Sequence, residues 1–378
     1  MRKSINGKLG VFSFFTGAGF LDLGFEDAGF TAVMANEIDR NFCEVYRHSR
    51  KKMGLPLPLL GLREHDVARF LEEGEEIRLL RQGLDDARKR FSFVGFIGGP
   101  PCPDFSVAGK NAGQGGRHGK LSQLYVDMIC RYRPDFFVFE NVKGLWRTAK
   151  HRAFFDTLVR QVQGSGYAVS SRLINALEYG APQDRERIIL VGVQGTLCSR
   201  ESVDGQLIGF PWESHLRHTM DEIRHVKWPD EDAFAEDGEL PCPAGLLNDL
   251  TVAHWFKRND VEHHPNADDF FVPRAGLPKM RSFAEGDVSR KCYKRLHRWR
   301  FSPTAAYGNN EVHLHPYKAR RLSVAETLAI QSLPRTYELP PDIPLSAKFK
   351  TIGNGVPYLA ARGIAETLAE FLKGKGGK

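Results

Sequence analysis

The chain has 378 residues and carries 53 Lys plus Arg against 46 Asp plus Glu, a net charge of +7 with a pI near 9.0. Its length suits two domains, or one domain with a large insertion, and 42% hydrophobic with 26% charged residues excludes a disordered or collagen-like chain. The longest N-terminal apolar run, Leu9 to Phe15, is broken by Gly10 and Ser13, which excludes a membrane span or secretory signal and predicts a soluble, cytoplasmic protein.

From residue 9 to about 194, short apolar runs alternate with longer amphipathic stretches, the pattern of βα units around a parallel sheet. Strands are predicted at Val11 to Phe15, Ala32 to Ala35, Phe93 to Ile97, Phe136 to Glu140 and Ile188 to Val193, with helices near 20–28, 41–48, 122–132 and 152–164. After Gly195 the alternation gives way to scattered Pro, Trp and His, which predicts a second, irregular domain over 195–320. Regular structure resumes in 321–378: Ser323 and Glu326 have capping-box spacing before a helix ending near Leu333, and a last helix is predicted from about Pro357 to Lys373. The six cysteines, at 43, 102, 130, 198, 242 and 292, form no Cys-x-x-Cys pair, as expected of a reduced chain.

Chemistry concentrates where strands end. Phe15-Thr-Gly17-Ala18-Gly19-Phe20 follows the first strand, and such glycines let backbone approach a nucleotide. The spacing Gly17, Gly19, Gly24 misses the dinucleotide fingerprint, which disfavours hydride transfer. Glu37 ends the second strand, where a carboxylate can accept from both ribose hydroxyls, although a solvated charge at a strand end reads equally well in isolation. Pro100-Pro101-Cys102-Pro103 sets a thiol on a rigid turn, which favours a nucleophile over an inert core cysteine. Gly109, Gly113, Gly115, Gly116 and Gly119 follow with the composition of a lid, or of a passive surface loop. Glu140 ends an apolar strand at the same sheet edge as Cys102, where burial would raise its pKa and keep a proton available for a substrate nitrogen. Gln183, Arg185 and Arg187 share one face of an extended segment, suited to a phosphate or a polar base edge; a salt-bridged strand edge is the alternative.

These segments, in this order, resemble the C5-cytosine DNA methyltransferase family. The resemblance covers Phe15 to Gly19, Glu37, Asp66, Pro100 to Cys102, Glu140-Asn141-Val142 and Gln183 to Arg187. It continues through Arg321 to Pro334 and Gly353-Asn354-Gly355-Val356-Pro357. It implies a Rossmann-like class I methyltransferase domain with a smaller irregular target-recognition domain, duplex DNA as substrate, S-adenosylmethionine as methyl donor, S-adenosylhomocysteine as product and no metal. The implied catalytic residues are Cys102, adding to C6 of a flipped cytosine, Glu140, donating to N3, and Arg185, holding the base. The implied cofactor site comprises Phe15, Gly17, Ala18, Gly19, Phe20, Glu37, Ile38, Asp66, Val67, Pro101, Leu121, Asn354, Gly355 and Val356. Phe20 stands where the family commonly has Gly, and Pro103 where Gln usually follows the cysteine.

Charge is segregated: +7 over residues 1–200, −10 over 201–274, +6 over 275–300 and +4 over 301–378. The aromatic-interleaved segment Arg290 to Arg300 therefore predicts phosphate contacts from Arg290, Lys291, Lys294, Arg295, Arg298 and Arg300, joined by Ser106, Arg187 and Thr304. The loop from about Asp104 to Lys120 is expected to close over the base, and the −10 segment to face away from phosphates or read bases. A metal reading of Cys242, His254, His263 and His264 lacks zinc spacing. The rival functions are a transfer RNA methyltransferase and a catalytically silent DNA-binding homologue. The expected setting is a cytoplasmic monomer near the nucleoid, with a cognate restriction endonuclease acting on the same site as the candidate partner.

Overall fold

Strands β1 (Leu9–Phe14), β2 (Phe30–Glu37), β4 (Phe93–Gly98) and β5 (Phe136–Val142) are buried along nearly their whole length, so the sheet they form must be covered on both faces. The computed structural model describes residues 8–101, 117–199, 201–290, 292–304, 307 and 313–374. Its main sheet has nine strands in the order β3-β2-β1-β4-β5-β8-β6-β10-β9, where β3 is Leu62–Glu64, β6 Tyr167–Asn175, β8 Glu186–Gln194, β9 Ser202–Val203 and β10 Gln206–Leu207. The five strands from β3 to β5 run parallel.

The expected all-parallel arrangement ends at β8, which is antiparallel to both β5 and β6. The link from β6 to β8 holds only a single turn at Ala176–Tyr179 and the two-residue β7 (Gln183–Asp184), too little chain for the helical crossover that a parallel return requires. Strand order reverses at β1, whose neighbours β2 and β4 lead to opposite edges. In open α/β sheets this is the crevice where ligands bind.

One face of the sheet carries α1 (Phe20–Asp27) and the C-terminal helices α10 (Val324–Ile330), α11 (Leu345–Asn354) and α12 (Tyr358–Lys373). The other carries α3 (Glu75–Arg90), α4 (Arg117–Tyr132) and α6 (Ala149–Gly164). Helix α2 (Arg40–Lys52) follows β2, and the short α5 (Gly144–Arg147) follows β5. The Ser323–Glu326 capping box forms as expected. Helix α3 was not expected because its buried stripe, Ile77, Leu80, Leu84 and Ala87, is thin among ten polar or charged positions. Among the described residues, 195–320 hold only short elements: β9 and β10 are followed by α7 (Met220–His225), α8 (Val252–Asn259), α9 (Leu277–Arg281), β11 (Lys294–Arg295), β12 (Ser302–Pro303) and β13 (His313–Leu314), with single turns between. β12 pairs with β7, joining this region to the approach to β8.

Helices α1 and α12 touch at Gly24, where an added Cβ would lie 2.6 Å from the backbone nitrogen of Arg362. Gly24→Ala is expected to push the helices apart and cost about 1–3 kcal/mol, read as a lower urea midpoint.

Candidate active site

The turn between β1 and α1 runs through left-handed backbone at Phe15 (φ 55°), Gly17 (φ 57°) and Gly19 (φ 81°). At Gly17 an added Cβ would meet nothing within 4 Å, so the glycine supplies conformation while leaving open space above the turn. Glu37, at the end of β2, closes the turn: its carboxylate accepts from the backbone N–H of Gly17 (2.8 Å), Ile38 (2.8 Å) and Asp39 (2.9 Å). Burial raises its pKa despite these bonds. Ile38 is 61% exposed, an apolar side chain held open at the crevice. Asp66 lies just beyond β3, where it accepts from Ala68 N–H (2.9 Å), while Val67 is buried beneath it. Asn36 positions this segment by donating to the carbonyls of Arg63 and His65.

A further residue of this turn escaped the sequence reading. Asp22 is buried and accepts from the hydroxyls of Ser13 (2.6 Å), Thr16 (2.7 Å) and Tyr46 (3.1 Å), which fastens the turn to β1 and α2. Its only signal was an acid set in the apolar first turn of α1.

Phe20 requires a correction. Its ring is 2% exposed and faces Tyr337 edge-on, so it does not line the crevice. It fills the space beside Gly355, where an added Cβ would lie 2.1 Å from the ring. Tyr337 also donates from its hydroxyl to the Ala18 carbonyl (2.7 Å), so the C-terminal segment grips the turn twice. Asn354 is exposed at the end of α11, Gly355 is partly exposed and Val356 is buried. Pro101 is exposed after β4, and Leu121 is partly buried on α4.

Beyond β4 the strands bring Glu140, Arg185 and Arg187 together. The β5–β8 register sets Val142 opposite Arg187, placing Glu140 on the diagonal, and Arg187 Nε binds Glu140 Oε1 at 3.0 Å. Burial raises the pKa of Glu140, against the opposing pull of Arg187 and Arg185. Gly99 lies so close that an added Cβ would sit 2.6 Å from Glu140 Oε2. Arg185 is buried, donating from Nη2 to the Gly353 carbonyl (2.8 Å) and from Nη1 to Gln183 Oε1 (3.4 Å). Burial and the neighbouring Arg187 push its guanidinium pKa well down. The expected DNA contact Arg187 is thus half-buried beside Glu140. Cys102, Ser106 and residues 104–116 of the expected lid lie outside the described residues.

The expected basic face at Arg290 to Arg300 is corrected for two of its members. Arg295 is fully buried, its guanidinium donating to the carbonyls of Phe283, His315, Pro316, Lys318 and Met280 and stacking 3.8 Å from the Phe234 ring centroid. Arg298 is buried in a two-pronged pair with Glu285 (2.8 Å each) and donates to the Gly238 carbonyl (2.7 Å). In a region with little regular structure, unpaired carbonyls need donors, and these arginines supply them. Arg290 is exposed, and Lys294 and Arg300 are partly exposed, so they remain available to a phosphate. Lys291 lies outside the described residues, and the Thr304 hydroxyl bonds the Asp184 carbonyl. Among the described residues no cluster of His, Cys, Asp and Glu could hold a metal ion.

A profile of the C-5 cytosine-specific DNA methylase family matches residues 9–370. The chain belongs to this family. It is 54% identical to the type II methyltransferase M.NmeDI of Neisseria meningitidis serogroup C, over 96% of this chain and 84% of that one. It is 38% identical to M.XorII of Xanthomonas oryzae pv. oryzae, with the same coverages. Among solved structures, a prophage-encoded DNA modification methyltransferase of E. coli superposes with a TM-score of 0.63 at 21% identity, covering 97% and 99% of the two chains. A DNMT2 of Spodoptera frugiperda gives 0.58 at 13% identity, a likeness of fold. This C-5 cytosine-specific DNA methylase is therefore of the restriction–modification type, with S-adenosylmethionine as methyl donor and DNA as substrate. No helix among the described residues is long and apolar enough to cross a membrane.

Two outcomes follow from this geometry. Arg298→Ala leaves Glu285 buried and uncompensated, and is expected to cost about 3–5 kcal/mol in urea unfolding. Neutralising Arg290, Lys294 and Arg300 together should leave the fold intact and flatten the salt dependence of DNA binding by about three phosphate contacts. An unchanged slope would show that this face does not meet the duplex.

Proposed function

We propose that the methylase acts on a flipped cytosine within duplex DNA through a covalent Cys102 adduct at C6. The arrangement of Glu140 against Arg187 and Arg185, with Gly99 at the end of β4 packed against Glu140, supports this reading best. Carbon 5 of cytosine is too weak a nucleophile to attack a methyl sulfonium while the ring is aromatic, so a nucleophile must first add at C6. A stacked base cannot present C6 to a thiolate, which requires extrusion at a cost of a few kcal/mol.

In this reading the Cys102 thiolate adds to C6 while Glu140 gives a proton to N3, and the electron pair of the former C5–C6 double bond becomes available at C5. The methyl donor supplies an electrophilic methyl group, which C5 takes up. Return of the N3 proton to Glu140, loss of the C5 proton and expulsion of the thiolate then restore the aromatic ring. Burial keeps Glu140 ready to hold its proton, and Arg187 sets the orientation of the carboxyl. Arg185, between β7 and β8, holds the base in this reading and is anchored to α11 by its bond to Gly353.

The crevice suits the donor. Glu37, held by three backbone N–H groups, is oriented to accept from the ribose hydroxyls, and exposed Ile38 offers an apolar face for the adenine. Asp66 and Asn354 stand at its rim. Residues 1–194 and 321–378 form the catalytic unit in this reading, and 195–320 recognise the target. A cytoplasmic monomer, releasing S-adenosylhomocysteine without a metal and sharing its site with a cognate endonuclease, completes the proposal.

Expression in a host lacking cytosine methylation, followed by bisulfite sequencing, should reveal 5-methylcytosine within one sequence motif, and transfer RNA should remain unmodified. Duplexes carrying 5-fluorocytosine at that motif should trap the protein covalently, and Cys102→Ala should abolish trapping. Failure to trap would overturn the covalent route. Because burial raises the pKa of Glu140, its proton is lost only as pH climbs above the usual carboxyl range. Adduct formation in the wild type should therefore fall through that raised pKa, whereas Glu140→Gln should lack this limb and turn over about 10²–10⁴-fold more slowly.

A further inference from the structure

Buried polar groups in folded proteins nearly always have hydrogen-bond partners, and one without a partner costs about 1–3 kcal/mol. Two side chains beside the site carry that cost. Tyr307 and His313 lie in edge-to-face contact, with ring centroids 5.4 Å apart. The Tyr307 hydroxyl and both ring nitrogens of His313 are buried and have no hydrogen-bond partner among the described residues. Burial pushes the His313 pKa down to about 3, so the ring is neutral and offers one donor and one acceptor.

Their position is set by α11. Phe349 and Gly353 are one turn apart on this helix and therefore share a face. Tyr307 packs edge-on against Phe349, with centroids 5.9 Å apart, and Arg185 binds the Gly353 carbonyl. Tyr307 and Arg185 thus occupy successive turns of one helix face, within electrostatic reach of each other. The Tyr307 residue as a whole is only partly buried, so the group is approachable although its oxygen is covered. Packing alone does not account for the hydroxyl, since a phenylalanine would make the same ring contacts without the desolvation cost.

We infer that Tyr307 is a further substrate-binding residue, whose hydroxyl donates a hydrogen bond to an acceptor oxygen of the flipped cytidine nucleotide beside Arg185. His313 is the second neutral polar group of the same subsite. The inference rests on the base-flipping reading above and extends it to a residue outside the motifs. The acceptor is either the carbonyl oxygen of the base or an oxygen of its sugar-phosphate, and the substrate can be altered to separate them.

The test is Tyr307→Phe in the full-length chain, assayed on the duplex motif found by bisulfite mapping. Removing an orphan hydroxyl should leave the melting temperature unchanged or raised, while KM for DNA rises or kcat falls by about five- to tenfold and KM for S-adenosylmethionine stays constant. Binding to a duplex with an abasic target then locates the acceptor. Loss of the difference between wild type and variant identifies the base carbonyl, and its persistence identifies the sugar-phosphate. Unchanged DNA kinetics, or a lower melting temperature with both KM values raised, would overturn the inference by showing that the hydroxyl is idle or structural. A wild type that neither methylates nor is trapped would sink the parent reading instead, and a wild type indistinguishable from Tyr307→Phe would sink this one alone.

Discussion

The antiparallel seating of β8 against β5 is the constraint on which the site depends. It alone sets Arg187 diagonal to Glu140 and delivers Arg185 to the end of α11. A parallel return would have carried the two arginines to the opposite edge of the sheet. The parallel β4–β5 pairing on the other side demands glycine at residue 99, because the strand that carries Glu140 runs hard against the turn leaving β4. A carboxyl enclosed by backbone on one side and a guanidinium on the other has one orientation. Reactions that transfer a proton at a defined atom need that restriction.

Much of this architecture was legible in the chain. The first, second and fourth strands are short apolar runs whose composition admits few other readings, and the acids at their ends fall at the crevice because strand direction and strand end are both visible in sequence. Glu37 and Glu140 were placed for that reason, whereas Arg185 came from the family resemblance, because the parallel strand expected after it would have carried it to the opposite edge. Legibility failed where a residue's role depends on a distant partner. Arg295 and Arg298 look like a DNA-facing charge run, yet the carbonyls and the Glu285 carboxylate that bind them come from segments 10 to 60 residues away. Asp22 is a comparable case, since two of its three hydroxyl donors lie on separate strands and helices. Helix α3 went unread because a thin stripe of four apolar residues among charges has little periodic signal.

The irregular region is held by another kind of chemistry than the sheet. Where strands pair, backbone groups satisfy one another. Between residues 228 and 320, guanidinium and imidazole groups reach across the chain to do that work: Arg295 gathers five carbonyls, Trp299 donates to Leu240, and His315 accepts from the N–H groups of Tyr317 and Lys318. Such a scaffold can change its surface loops while a few interior residues keep the shape. That property suits the target-recognition role proposed for this region.

The contact between Phe20 and Gly355 joins two stretches of chain separated by more than 300 residues, and it works in both directions. An aromatic ring at residue 20 excludes every side chain at residue 355, whereas a glycine at residue 20 would leave a void there. The two positions therefore constrain each other's evolution. A chimera that takes its C-terminal segment from a relative with glycine in the first turn inherits a surface shaped for a different partner. Exchange of target specificity between such enzymes is accordingly safest when the cut points fall inside the irregular region, leaving both halves of this contact from one parent.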